Sequence, residues 1–289
     1  TPVRCYRKAK NVSVEKNKYN KYRKPNKNGL NTEPREVPII VSMTTYGPRM
    51  KTADIAIGAI LRQTMKPDKI VVALSENDAN NLSSYMKTLK NKGLVEILAC
   101  EDLKSPHMKY YYTMKKYPDA IIITVDDDIL YRKDLIESLY KSYEMHKDCV
   151  SALRVHRIRL GSDGKLMPYN SWKLRDSKYV GIPRHDLFAT GVGGVLYPPK
   201  LLYKDIFELD VIKKYCLKAD DIWLKVMELL SGTKVVLADI QQPLTYIDNT
   251  QEVGLFNTNV ALNANDEQFK GLLDYYKDKN ILELIYRNN

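Results

Sequence analysis

The sequence predicts an α/β fold: a mostly parallel sheet with helices on both faces. Two observations carry this class. Apolar, β-rich runs of four to eight residues alternate with segments whose apolar residues recur at helical spacing, and that alternation is repeated three times before residue 130. No apolar run reaches about 18 residues, so the hydrophobic content is that of a water-facing core rather than a membrane span.

The elements follow in order. Pro38 to Met43 is the first strand, and Ile57, Ile60 and Leu61 mark one face of the helix after it. Lys69 to Leu74 is a second strand, Leu82, Met86 and Leu89 a second helix, and Val95 to Ala99 a third strand. A tyrosine-rich helix from about His107 to Tyr117 leads into the strand Ala120 to Val125. Tyr110, Tyr111 and Tyr112 cannot all face one way on that helix, so at least one enters the core. A helix near Lys133 to Met145 and a strand over Val150 to Val155 come next. Beyond Asp128 the alternation is irregular, and Leu160 to Ile182 is rich in loop residues. Ala219 to Leu230 is helical with Gly232 at its C-terminal cap, and Lys234 to Ala238 is the last strand. Asn265 with Gln268 has the spacing of a capping box for a final helix through about Lys277.

The chain has 289 residues and a net charge of +11, unevenly placed. Residues 1–37 hold eleven Lys/Arg and three Glu, a net of +8 in a stretch poor in aliphatics. Such a basic arm is expected to be loosely held. It reads either as a contact for anionic lipid, nucleic acid or a partner, or as a solvated linker from an upstream domain. Cys5, Cys100, Cys149 and Cys216 form no C-x-x-C pair, which removes zinc ribbons and thioredoxin-type motifs and fits reduced thiols in a cytosolic protein. There is no G-x-G-x-x-G after the first strand and no G-x-x-x-x-G-K-[ST], so a dinucleotide fold and a P-loop NTPase lose their main evidence.

Chemistry concentrates at two acidic clusters. Asp126, Asp127 and Asp128 close the apolar run Ile121 to Val125. Folding does not call for three anions at a strand end, since like charges side by side repel. A divalent cation removes the objection, because hard metal ions bridge carboxylates to a diphosphate, and ligands of open α/β sheets collect at the carboxyl ends of strands. The competing reading is a solvated acidic turn before a helix. The second cluster, Asp220-Asp221, opens a helix. One of the two serves as an N-cap, and Asp221 is the one left to act as general base. The helix dipole would weaken such a base, and a dry site would restore it. Gly191, Gly193 and Gly194 either form a turn before an edge strand or let backbone amides approach a sugar or phosphate. Lys109 is either a diphosphate contact or a solvated lysine. Of the four histidines only His185, just before Phe188 to Gly191, stands close to a candidate segment.

Pro38 to Leu74, Asp126-Asp127-Asp128, Thr190-Gly191-Val192-Gly193-Gly194-Val195-Leu196-Tyr197-Pro198-Pro199 and Ala219-Asp220-Asp221-Ile222-Trp223 occur in this order. Together they resemble the GT-A glycosyltransferases, in particular family-2-like bacterial enzymes that build surface polysaccharides, over about residues 37–268. The resemblance implies a Rossmann-type sheet, with residues 38–130 holding a nucleotide-sugar donor and 131–289 facing the acceptor. It implies Mn²⁺ or Mg²⁺ held by Asp128 and Asp126, with Asp126 also facing the ribose or sugar. Thr44 and Tyr46 would lie beside the nucleoside, UDP being the favoured donor. Arg49 and Lys109 would lie near phosphates, and Asp127, Gly193 and Gly194 would complete the donor site. Asp221, with Asp220 beside it, would deprotonate the acceptor hydroxyl in an inverting transfer to a saccharide or lipid-linked saccharide.

Two departures stand out. Leu244-Thr245-Tyr246-Ile247 carries no histidine where some relatives add a metal ligand, and Leu74-Ser75-Glu76-Asn77 replaces the D-G-S found after the second strand. The expected location is cytoplasmic, with residues 1–37 peripheral at an anionic membrane and nucleic acid not expected as a partner. A sugar nucleotidyltransferase is the second enzymatic reading, for which Gly47-Pro48-Arg49-Met50 is a poor version of the required basic loop. A membrane- or nucleic-acid-binding protein led by its basic arm is the non-enzymatic one. The segment from Leu255 to Asp266 reads either as a loop closing over the donor or as a polar surface loop.

Overall fold

Alternate residues of the first strand face opposite layers, and this sets the architecture. The computed structural model describes residues 18–101, 103–248, 250 and 264–286. In strand β1 (Ile39–Thr44), Ile39, Val41 and Met43 enter one core and Ile40 another. The first core is closed by helix α1 (Ala53–Ile60), by the helix Ser84–Asn91 through Met86 and Leu89, and by the helix Leu135–Met145 through Leu135, Ile136 and Leu139. The opposite face is covered by the helices Met108–Lys116 and Asp220–Ser231, whose Tyr110, Tyr111, Ile222, Trp223 and Val226 are buried. Helices therefore lie on both faces of the sheet, as a strand buried on both sides requires.

Seven strands form that sheet. After β1 come β2 (Lys69–Ser75), β3 (Glu96–Cys100), β4 (Ile121–Thr124), β5 (Cys149–Ala152), β6 (Val155–Arg157), β7 (Leu187–Ala189), β8 (Val195–Tyr197) and β9 (Lys234–Leu237). The order across the large sheet is β3-β2-β1-β4-β8-β5-β9, while β6 and β7 pair separately. β1 is parallel to β2 and β4, β2 to β3, and β5 to β9. β8 runs antiparallel between β4 and β5, with Thr124 opposite Val195 and Ala152 opposite Val195. The fold class is α/β with a mostly parallel mixed sheet.

Several expectations are corrected. The strand expected over Val150 to Val155 is two strands, because the chain leaves the large sheet at Leu153 and Arg154 and enters the small one. β8 is not an edge strand but an interior one, and Leu196, fully buried, packs in the first core. Asn265 does not cap the last predicted helix. It lies inside the helix Ala264–Tyr275, and Gln268 instead accepts a hydrogen bond from the Lys218 amide at 3.0 Å. A further helix, Ile281–Tyr286, follows. Gly232 does form the left-handed C-cap of Asp220–Ser231, at φ 72°.

The basic arm is corrected in its second half. Residues 18–37 are docked on α1. The Asn26 side chain donates to the Leu61 carbonyl at 2.7 Å, and Arg23 and Arg35 pair with Asp54 and Asp68 at 3.0 and 2.9 Å. The backbones meet at Gly58, where a Cβ would lie 2.0 Å from the Tyr22 carbonyl oxygen. Lys18 reaches Asp248 at 3.1 Å. Polar and backbone contacts hold this segment, which is why its low aliphatic content misleads. Residues 1–17 and 251–263 lie outside the described residues, the latter including 255–263 of the segment read as a loop over the donor or a polar surface loop. Among the described residues no helix is long and apolar enough to cross a membrane, and Cys100, Cys149 and Cys216 are buried.

Candidate active site

The carboxyl end of β4 delivers the acidic triplet to the middle of the sheet. β1 and β4 are in register, Ser42 beside Thr124, and the Val125 amide continues the ladder to the Ser42 carbonyl. The two strands end together, which brings Thr44, Thr45 and Tyr46 alongside Asp126 to Asp128. The chain after Asp128 is fixed from the other side. Ile129 bridges Tyr246, and the Ile247 amide donates to the Asp128 carbonyl at 2.8 Å. Thr245 and Tyr246 thus border the triplet at the segment where the sequence lacks a histidine.

The two acidic clusters meet through one lysine. Lys109, in the helix Met108–Lys116, places its Nζ 2.9 Å from Asp126 Oδ1 and 2.9 Å from Asp220 Oδ2. Its side chain is only 6% exposed, so this is a buried bridge and not a solvated surface lysine. Burial alone would lower the ammonium; Asp126, Asp220 and Asp221 outweigh it and hold Lys109 well above the ordinary lysine value. His107, two residues earlier at the N-cap, anchors the helix. Its ring nitrogens contact the Tyr110 hydroxyl at 2.9 Å and the Cys216 carbonyl at 2.7 Å, tying it to the turn that precedes Asp220.

Arg49 performs the same service on the other flank. It lies in the turn Gly47–Lys51 after β1, pairs with Asp127, and places Nη2 2.9 Å from Asp128 Oδ2. Burial pushes Asp127 up to about 6 even against the pull of Arg49. Five carboxylates therefore face two cations.

Neither Asp220 nor Asp221 is the N-cap, which corrects that expectation. Ala219 occupies the capping position, without a side-chain cap, and both aspartates lie in the first turn. Asp221 Oδ1 instead accepts the Gly191 amide at 3.0 Å. Burial, and then the neighbouring Asp220 carboxylate, push Asp221 up to about 8. The helix dipole is overcome, and a base of that strength suits proton abstraction near neutral pH.

The glycine stretch is a close-packed turn beneath the lysine. A Cβ at Gly191 would come 2.6 Å from Lys109 Nζ, and one at Gly193 would come 2.3 Å from Arg154 Cβ. The Gly193 and Gly194 amides already donate to Thr190 and Gly191 carbonyls, at 3.0 and 2.9 Å. As ligand-facing amide donors these two positions are corrected: their amides are engaged inside the turn. Thr44 likewise directs its hydroxyl to the Ala73 carbonyl at 2.8 Å, away from a ligand role, while Tyr46 is 44% exposed at the site's rim. Arg49 and Lys109, expected beside phosphates, are paired with the site's own carboxylates.

Sequence reasoning missed Tyr131. Its buried hydroxyl accepts the Asp126 amide at 2.7 Å and donates to the Val192 carbonyl at 3.2 Å, locking the triplet to the glycine turn. It also missed His107 and Arg154. His185 is buried, and desolvation, reinforced by Lys225 and Lys234, holds it down to about 4.

Oxygen donors and surplus negative charge fit a hard divalent cation. Among the described residues, no group of three or more His, Cys, Asp or Glu side chains converges to hold one unaided. No protein-family model matches the chain, and no curated protein matches it.

Proposed function

We propose that this protein is a metal-dependent, inverting glycosyltransferase of the GT-A type. It moves a sugar from a nucleoside diphosphate, UDP favoured, to a saccharide or lipid-linked saccharide in surface-polysaccharide synthesis. The observation that carries the reading is the Lys109 bridge. Acidic clusters from opposite halves of the chain meet at the carboxyl edge of a largely parallel sheet, where such folds bind ligands.

The geometry supports the following roles. Asp126 and Asp128 are the residues that would hold Mn²⁺ or Mg²⁺, which when bound supplies Lewis acidity at a leaving diphosphate. Tyr131 fixes the backbone of Asp126, and Arg49 orients the Asp127 and Asp128 carboxylates. Asp221 takes the proton of the acceptor hydroxyl as that oxygen attacks the anomeric carbon. The Gly191 amide holds one Asp221 oxygen and so sets the direction of the other. Lys109 pairs with Asp220 beside it, and burial together with the Asp220 carboxylate keeps Asp221 basic.

The test is transfer itself. Nucleoside diphosphate release from a panel of nucleotide sugars and saccharide acceptors should need Mn²⁺ or Mg²⁺, and the product should have inverted anomeric configuration by proton NMR. Asp221→Asn should lower turnover by about 10²–10⁴-fold while leaving donor binding intact. Retained configuration, or full activity in Asp221→Asn, would sink the assigned base.

A further inference from the structure

Residues 18–23 touch both segments that flank the acidic triplet. On one side Arg23 pairs with Asp54 in the first turn of α1 at 3.0 Å, and its Nη2 lies 3.5 Å from the carbonyl of Lys51, which ends the turn that carries Arg49. On the other side the Tyr19 hydroxyl accepts the Asp248 amide at 3.3 Å. Lys18 joins that contact, with its Nζ 3.1 Å from Asp248 Oδ2 and 4.9 Å from the centroid of the Tyr19 ring. The ion pair is half exposed, and such pairs contribute little by themselves. Tyr19 is only 5% exposed, and its ring lies in the same core as Met50, Ile129 and Ile247. A buried ring with a polar tip holds its hydroxyl in one place.

The contact gains its meaning one residue back. The Ile247 amide donates to the Asp128 carbonyl at 2.8 Å, and the Leu130 amide to the Thr245 carbonyl at 2.8 Å, on either side of the bridge between Ile129 and Tyr246. Residues 245–247 are thus a short rail along the chain that leaves the triplet. This rail belongs to none of β1 to β9, so it has no continuous ladder of the kind that holds β1 against β4. Tyr19 and Lys18 grip it at Asp248. A ligand-binding carboxylate has to be held to within about 0.5 Å, which requires that the groups behind it be locked in turn.

We propose that Tyr19 is a positioning residue of the donor site: its hydroxyl pins Asp248, Asp248 keeps Ile247 on the Asp128 carbonyl, and the place of Asp128 is set through that chain of contacts. Residues 18–23 are then a working part of the site and not a separable tether. The latch stands on the hydrogen bonds; its importance for a donor rests on the transferase reading.

The experiment compares Tyr19→Phe, Lys18→Gln and Asn26→Ala with the native sequence, each as the full chain, by amide hydrogen exchange and by calorimetric titration with UDP and Mn²⁺. The Asp248 amide loses its acceptor in Tyr19→Phe and exchanges faster for that reason alone. The Ile247 amide is the reporter, because its acceptor is untouched. It should exchange roughly fivefold faster in Tyr19→Phe, with a similar fall in UDP affinity, the effect of about one hydrogen bond. Lys18→Gln should move both readings in the same direction by less. Asn26→Ala removes the bond to the Leu61 carbonyl, loosening residues 18–37 away from Asp248, and should move neither. Unchanged Ile247 exchange in Tyr19→Phe overturns the latch. Faster exchange with unchanged UDP affinity overturns the positioning of Asp128. Equal effects in Asn26→Ala overturn the particular role of Tyr19. Absence of UDP binding by the native chain overturns the donor assignment, while Ile247 exchange still decides the latch.

Discussion

A methyl group on Gly191 would lie 2.6 Å from the Nζ of Lys109, so the absence of a side chain at one residue is what allows the other to reach two aspartates. The contact is with the flexible end of a side chain, not with backbone. Gly191→Ala is therefore expected to fold, with Lys109 displaced from Asp126 and Asp220. Transfer should drop at least roughly tenfold, since small misplacements of catalytic groups cost that much or more. Circular dichroism should stay unchanged; a fully active Gly191→Ala would mean that the bridge is not needed.

Removing the lysine is more damaging than moving it. Lys109→Met leaves Asp220 buried beside Asp221 with no cation, and breaking such a pair costs about 3–5 kcal/mol. Urea unfolding should show a loss of that order, with partial recovery in the Lys109→Met, Asp220→Asn double variant. A double variant no more stable than the single one would argue against direct coupling.

The base can be separated from the donor site kinetically. Asp221→Asn keeps an oxygen for the Gly191 amide but cannot take a proton. The turnover number should fall by about 10²–10⁴-fold, the range for general-base removal, with donor KM little changed. An equal fall in donor affinity would place Asp221 on the donor instead.

Three histidines make the fold acid-sensitive. Burial holds His107, His156 and His185 down to about 4, below the unfolded value near 6.5. The unfolded chain thus binds protons that the native state refuses. Stability is fully present above about pH 6.5 and is lost as pH falls towards 4, on the order of 3 kcal/mol for a fully buried ring such as His107. Denaturation midpoints at pH 7, 5.5 and 4 should fall in that order, and less steeply in His107→Gln. A flat profile would contradict the neutral buried rings.

The docked arm has its own test. At Gly58 a Cβ would be 2.0 Å from the Tyr22 carbonyl oxygen, a backbone atom that cannot step aside. Gly58→Ala should cost about 1–3 kcal/mol, as overpacking does. It should also open trypsin cleavage at Lys21 and Arg23; unaltered resistance would mean that residues 18–37 are held elsewhere.

Much of the sheet is legible because its strands up to Thr124 are apolar runs bounded by helices of clear period. The triplet is legible for the opposite reason, since Asp126 to Asp128 violate the pattern around them. β8 is not: three apolar residues cannot announce that they insert antiparallel between β4 and β5. Nor can spacing reveal Lys109, because a buried lysine and a surface lysine occupy the same kind of helical position. What separates them is Asp220, from the other half of the chain. Arg154 and Tyr131 are hidden in the same way, each defined by a partner on the glycine turn. Residues 18–37 mislead because side-chain-to-carbonyl bonds and a glycine contact leave no hydrophobic signature.

The central claim is that the Lys109-linked carboxylates form a metal and diphosphate site. Thermal unfolding of the full chain with UDP, GDP or TDP, each with Mn²⁺, Mg²⁺ or EDTA, tests it directly, since a ligand of the folded state raises the melting temperature by mass action. The account predicts stabilisation by one nucleoside diphosphate, UDP first, only with metal, and its loss in Asp128→Ala. Stabilisation that persists in EDTA or in Asp128→Ala, or no shift with any nucleotide, would contradict it.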